Sequence, residues 1–371
     1  MTVDQIVGGA IWVQLLILLA AIVFAIFEGL FVLTGGRRSF STRRRLGMAA
    51  IACLAVVPLV TPYLMTTSYA ASVNATDVVV SQVLNGNIAL SAQEMSALLA
   101  MKTQWLDQMS TGGSIVAQVL IAAFAAGFVV RSIYLSINIG RIRRAIAAGR
   151  VVQRTKWVSV MVSPAVNVPF STRGLLRYYV VLPTSLFRDG AGVEMALGHE
   201  MQHIRQGDVD AEVLLSLISP LAVLNPGFWF LSSRLRKLGE LACDRAYLAR
   251  KGFDAHGYAL RLLEIARFSQ AQAKAQPAAF GVPLVGRKVP FLSRRSMLKD
   301  RIVEIARDQD APAKEALALG AGMSVLMASV VLLGAVSLTE PEDWSHERIM
   351  LSTVANLDRL NELNTLAQRS W

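Results

Sequence analysis

The sequence predicts a mainly α membrane protein in which four transmembrane helices carry an α+β domain between the third and the fourth. Three observations predict it. Mean hydropathy is +0.46, and 54% of the 371 residues are hydrophobic, with the excess gathered into long runs. Four of those runs, at residues 10–34, 46–65, 113–137 and 316–338, reach the ~20 residues that a helix needs to cross a bilayer. Between the last two runs the pattern changes to alternating strands and amphipathic helices around a His-Glu-x-x-His pentapeptide.

The first run lacks the basic n-region of a cleaved leader. Asp4 precedes it, five arginines follow it, and it is longer than a leader's apolar core. It is therefore expected to be a retained span. Charge orients the others. Arg37, Arg38, Arg43, Arg44 and Arg45 lie between the first two runs, and Arg141, Arg143, Arg144, Arg150, Arg154 and Lys156 follow the third. Lys102 is the lone Lys or Arg in the stretch 66–112, whereas the tail 339–371 is rich in Asp and Glu. By the positive-inside rule this predicts an outer N-terminus at 1–9, a basic cytoplasmic connector at 35–45 and an outer loop at 66–112. The region 138–315 is then cytoplasmic, and 339–371 is an outer amphipathic tail.

The net charge of +11 is explained by these membrane flanks. No nucleic-acid-binding motif accompanies it, so direct binding to nucleic acid is not expected. The two cysteines, Cys53 and Cys243, form neither a disulfide framework nor a CxxC knuckle. The spans also lack the paired broken helices of a transporter.

Inside the spans, Glu28 and Arg131 fall at similar depths. They either pair with each other or snorkel separately. Val78, Val79 and Val80 suit the start of a short strand in the outer loop. Ile349, Leu351, Val354, Leu357 and Leu360 recur at helical spacing in the tail, which predicts a helix lying on the membrane or on that loop. In the cytoplasmic region, Trp157–Ser163 and Tyr178–Leu182 read as strands. The apolar stretch 211–231 is broken by Pro220 and Asn225-Pro226, so it reads as a buried or membrane-skimming helix pair, not a fifth span. The stretch 274–293, with three prolines, reads as a surface loop.

The motif His199-Glu200-Met201-Gln202-His203 carries the chemistry. Residues four apart share one helix face, so both imidazoles reach one metal ion, and Glu200 sits where it can act as a general base. Zinc fits two neutral imidazoles plus a carboxylate, with one position open for water. For the third ligand, His256 and His346 are candidates in principle, although His346 falls on the outer side. Glu240 and Asp244 lie four apart on a downstream helix, so one can bind zinc while the other orients a ligand imidazole. Asp208 is expected either to support a ligand or to cap the motif helix. Val160, Val162 and Asn167, in or beside the strand before the motif, are expected to bind substrate as an added strand or else to serve as ordinary structure.

These elements come in a characteristic order: Pro169-Phe170…Gly174, Val180-Val181-Leu182-Pro183, His199…Asp208, Asn225-Pro226…Trp229 and Glu240…Cys243-Asp244. In this order they resemble the BlaR/MecR-type antirepressor membrane zinc peptidases. The resemblance covers roughly 157–267 and the span layout. It implies a zincin-like metallopeptidase domain that holds one zinc ion. The ligands it implies are His199, His203 and Glu240, with Glu200 as catalytic base and Asp244 in support. It further implies a multi-pass protein of the bacterial inner membrane that cleaves a cytoplasmic or membrane-proximal protein, such as a repressor or a membrane-protein partner. Membrane-protein quality control and a non-catalytic signalling scaffold are the alternatives. No Ser-x-x-Lys occurs in 339–371, so the penicillin-binding sensor of the signalling members is not expected there.

Overall fold

A computed structural model describes residues 3–65, 74–111, 113–188, 190–251, 255–275, 294–307, 314–339 and 346–369. Its helices are α1 (Val3–Leu33), α2 (Phe40–Met65), α3 (Ala75–Leu84), α4 (Ala92–Thr111), α5 (Ile115–Ala147), α6 (Gly190–Gln206), α7 (Asp208–Ile218), α8 (Pro226–Lys251), α9 (Ala255–Ala275), α10 (Arg294–Ile305), α11 (Lys314–Ser337) and α12 (His346–Arg369). Its strands are β1 (Arg150–Arg154), β2 (Val158–Ser163), β3 (Phe170–Arg173) and β4 (Tyr178–Pro183). Among the described residues, four helical stretches are long and apolar enough to cross a membrane: Val7–Leu33, Phe40–Leu64, Ile115–Ala147 and Ala318–Ser337. The mainly α membrane fold with a small sheet is thus as the sequence predicts. The loop expected at 274–293 lies almost wholly outside the described residues.

The chain forms two compact units. In the first (1–23, 52–125 and 328–371), α3, α4 and α12 pack around Val80, Val83, Ala92, Met95 and Leu351. The tail helix therefore lies on the loop helices. The valine run is helical, not the strand that its composition suggests. Asn74 caps α3 by accepting a hydrogen bond from the Thr76 backbone N–H at 2.8 Å, and Val80 and Val83 lie three apart on the buried face. A cap and a packed face outweigh the mild β preference of valine. Ser91 and Glu94 cap α4 reciprocally, as a capping box does.

In the second unit (24–51 and 126–327), the sheet order is β1-β2-β4-β3. The β1–β2 and β3–β4 pairs are antiparallel and β2–β4 is parallel. Alternation along the strands gives the sheet two apolar faces. Val160, Val180 and Leu182 pack on Ala196 of α6, while Val181 and Phe170 pack on Ile142 and Ala145 of α5. β1 and β3 were not legible as strands. β1 is exposed throughout and β3 is only four residues long.

The sheet corrects one expectation. Val160 and Val162 lie on β2, which is hydrogen-bonded on both sides, so this strand has no open edge for a substrate. Asn167 is buried in the following loop. The edge beside the motif helix belongs to β3.

The Glu28–Arg131 pairing is also corrected. Glu28 is 5% exposed and accepts hydrogen bonds from Arg43 at 2.7 and 3.0 Å and from Arg234 of α8 at 3.0 Å. Arg131 instead donates to Ser219 at 3.0 Å and faces the rings of Tyr134 and Trp229. A buried carboxylate is stable only when paired. Arg43, at the start of the next helix, reaches it with two donors of a planar fork. Two helices, α7 and α8, occupy the 211–231 region, with Asn225 capping α8 through the Gly227 N–H at 3.0 Å.

Candidate metal centre

Helix α6 lies against the sheet on Ala196, Leu197, Met201 and Ile204, which turns its polar residues away from β4. His199 and His203 lie on that side and face α8, whereas Glu200 lies between Ala196 and Ile204 and meets Ser171 of β3. A Cβ at Gly198 would run into the Tyr247 ring, so glycine permits the close approach of α6 to α8. α8 then brings Glu240, Cys243 and Asp244 up to the two histidines. Gly207, with φ of +75°, ends α6 in the left-handed region that glycine enters at little cost. The turn places Asp208 back beside His203.

The Nε2 atoms of His199 and His203 are 3.1 Å apart. Glu240 faces both, Oε2 at 3.6 Å from His199 and Oε1 at 3.7 Å from His203. Donors bound tetrahedrally at the distances usual for zinc lie about 3.3 Å from one another. The three groups therefore have the spacing of a zinc site.

The other ring nitrogens are held from behind. His203 Nδ1 is 2.8 Å from Asp208 Oδ2, and an ionised carboxylate can only accept, so this nitrogen carries the hydrogen. Tyr258 donates its hydroxyl to Asp244 at 2.8 Å. Its oxygen is then the acceptor for His199 Nδ1 at 3.2 Å. Both neutral rings so held direct an Nε2 lone pair toward the other. Two acceptors 3.1 Å apart need a proton or a cation between them, and the arrangement fits a metal ion.

The electrostatics favour positive charge at this point, carried either by the imidazoles or by a cation between them. Burial disfavours a charged His199, yet the Cys243 sulfur, and after it Glu240, outweigh burial and raise its pKa to about 10. His203 is likewise raised, with Cys243, Asp208 and Glu240 overcoming burial. Burial also works against the Glu240 charge, but Arg301 and the two imidazoles hold its pKa far below the carboxylate range.

Cys243 offers a rival third donor. His199, His203 and Cys243 bring ligand atoms within 4.8 Å of one another. However, its sulfur lies 3.6 Å from His199 Nδ1 and 3.3 Å from the His199 carbonyl oxygen. The sulfur also interacts with His203. Glu240 faces both Nε2 atoms. His256 is exposed on α9, and His346 opens α12 in the other unit.

Four further partners come from outside the motif and the downstream carboxylates. Ser171 of β3 donates to Glu200 Oε2 at 2.8 Å. Arg301 of α10 donates to Asp244 twice at 2.7 Å and pairs with Glu240 Oε2 at 2.7 Å. Arg44 of α2 donates to Asp208 Oδ1 at 2.8 Å and to the Gln206 carbonyl at 2.7 Å. The fourth is Tyr258. Ser171 lies inside the Pro169-Phe170…Gly174 element, and Arg44 reads in the sequence as a topology signal. Nothing local marks Tyr258 or Arg301. A cavity of about 230 Å³ opens over the site, lined by Phe170, Ser171, Glu200, His203, Asp208 and Glu240 among others.

Comparison with known proteins gives two results. The family described as BlaR1 peptidase M56 matches residues 10–298. The Regulatory protein BlaR1 of Bacillus licheniformis is 31% identical over 87 residues, which is 23% of this chain and 14% of that protein. The match thus spans a small part of that relative's length.

Proposed function

The chain belongs to the BlaR1 peptidase M56 family, a family of membrane metallopeptidases, and on that premise we propose that it is a zinc endopeptidase built on His199, His203 and Glu240. The observation that carries this reading is the pair of Nε2 atoms 3.1 Å apart with a carboxylate facing both. When bound there, zinc would polarise a scissile carbonyl and acidify a water molecule.

The chain's own groups do the rest. Glu200, held by Ser171, takes a proton from the attacking water and returns it to the leaving amine. Asp208 fixes the His203 tautomer, and the Asp244–Tyr258 pair fixes that of His199. Substrate enters the cavity extended along the edge of β3, where main-chain groups accept an added strand. The basic connector and the basic segment after α5 orient this region toward the cytoplasm of a bacterial inner membrane. The substrate class is a cytoplasmic or membrane-proximal protein, with repressor cleavage in signalling as the favoured role. The printed name of the relative, a regulatory protein, supports that role.

The test separates Glu240 from Cys243. The purified chain is expected to hold one zinc per molecule by elemental analysis. Glu240→Gln is expected to weaken zinc binding by more than the roughly 10–100-fold typical of losing an outer partner. Cys243→Ser should change it little. The reverse order, measured by competition with a chromophoric chelator, would reassign the third ligand.

Arg44 gives a second expected result. It is a residue of a membrane helix that holds the carboxylate orienting His203. Arg44→Met should lower zinc affinity about tenfold, the lower end for an outer partner, and Arg44→Lys should recover part of the loss. Unchanged affinity in Arg44→Met would show that Asp208 needs no such support.

A further inference from the structure

The two hairpins of the sheet end side by side. β2 and β4 are parallel, with Val158 opposite Tyr178, so the β1–β2 and β3–β4 turns emerge at the same end. The Tyr178 N–H donates to the Trp157 carbonyl at 2.8 Å and joins them. These turns carry Trp157, 61% exposed, and Leu175 and Leu176, 99% and 85% exposed. Adjacent, exposed large apolar side chains at turn tips are a mark of a contact surface.

The surrounding charge has one sign. The tip ends of the two hairpins, residues 154–158 and 173–178, hold no Asp or Glu, but they carry Arg154, Lys156, Arg173 and Arg177. Lys156 lies over the Trp157 ring, Nζ 5.2 Å from its centre. Asp210 is the acidic group at the base of the tips. It is already engaged by Arg173 and by the Tyr178 hydroxyl, the latter at 2.9 Å.

That base is linked to a membrane helix. Asp210 follows Asp208 by two residues on α7, and Asp208 is held by Arg44 in the first turns of the membrane helix α2. These contacts link the hairpins to the first turns of α2, the end of that helix expected to leave the hydrocarbon. Trp with Lys and Arg around an apolar pair is the composition that suits this interface.

We propose that the two adjoining tips are a membrane foot. Trp157, Leu175 and Leu176 enter the headgroup–acyl boundary of the bilayer that the four helices cross, and Arg154, Lys156 and Arg177 pair with the phosphates of anionic phospholipids. The foot holds the β3 edge and the cavity beside it near the bilayer surface, which suits a membrane-proximal substrate.

The test uses the full chain in nanodiscs of either phosphatidylcholine alone or phosphatidylcholine with phosphatidylglycerol. An environment-sensitive NBD fluorophore is attached at Leu176→Cys, and in a second preparation at Leu175→Cys. The native Cys53 and Cys243 are both buried, and the unsubstituted chain measures any background. A label at Glu194→Cys is the control. Glu194 is exposed on α6, about 18 Å along the helix from Gln206, which touches Arg44. With anionic lipid, the tip labels should emit to the blue and be quenched by doxyl-labelled lipid roughly twofold or more beyond the control. Lys156→Gln with Arg177→Gln should remove most of that excess. Water-like emission at both tip positions in both lipids overturns the foot. Equal quenching with and without anionic lipid overturns the assigned headgroup. A blue shift that follows protein concentration and not lipid assigns the tips to a second copy of the chain and also overturns the proposal. Nanodiscs have both faces in one solution, so none of these outcomes depends on the proposed cytoplasmic orientation or on zinc.

Discussion

Replacing Glu200 with Gln is expected to cut peptide-bond cleavage by about 10²–10⁴-fold, the usual worth of a positioned acid–base group, while zinc stays bound. Glutamine has nearly the shape of glutamate and can still accept a hydrogen bond from Ser171, which lies 2.8 Å from Oε2 in the native chain. What it cannot do is take a proton from water and return it to an amine. Neither imidazole nor Glu240 is altered, so zinc content by elemental analysis should match the native chain. The substrate is a protein still to be identified, so the readout is capture. Proteins that co-purify with Glu200→Gln, and that are shortened when the native enzyme is added, are the substrates. Cleavage of those proteins by the Gln variant at the native rate would remove Glu200 from the mechanism. A chain that binds zinc but cleaves nothing in either form would point to a signalling scaffold.

Arg301→Met is expected to give the largest loss of stability among single changes around the site. Arg301 spans two carboxylates, Asp244 with 3% of its side chain exposed and Glu240 with 27%, and is itself 13% exposed. Solvent screens so enclosed a cluster weakly. Removing the cation leaves two like charges facing each other in a dry setting, and breaking a buried pair in this way typically costs about 3–5 kcal/mol. The guanidinium is held above its ordinary pKa, since Glu240 and Asp244 outweigh the effect of burial. It is therefore charged at any working pH. Arg301→Lys should recover only part of the loss, because an ammonium lacks the fork that meets Asp244 through two nitrogens. Denaturant unfolding in a fixed detergent, with and without added zinc, measures both variants. Zinc should narrow the deficit in Arg301→Met, since a metal ion supplies Glu240 with a new positive partner. A loss that zinc leaves unchanged would assign the damage to Asp244 alone.

These two residues show how the site is assembled. Glu200 belongs to a pentapeptide on one helix. Arg301 comes from a helix far along the chain, and Arg44 from a membrane helix well before the motif. Arg43 and Arg44 are neighbours in sequence, yet one reaches α8 through Glu28 and the other reaches His203 through Asp208. The start of α2 is thus joined by ion pairs to both helices that carry the proposed ligands.

Short-range periodicity is legible in the residues alone. Runs of about 20 apolar residues mark spans because a helix rises 1.5 Å per residue through a bilayer of fixed thickness. Two histidines four apart meet because a helix turns every 3.6 residues. Only the tertiary structure decided which carboxylate faces both imidazoles, that β2 is interior and β3 is the open edge, that Glu28 meets Arg43 and Arg234 instead of Arg131, and that Tyr258, Arg301 and Arg44 close around the histidines. Each of these depends on segments that meet across long loops. No local pattern specifies such a meeting, since it is set by how whole faces pack and by the cost of leaving any buried charge without a partner.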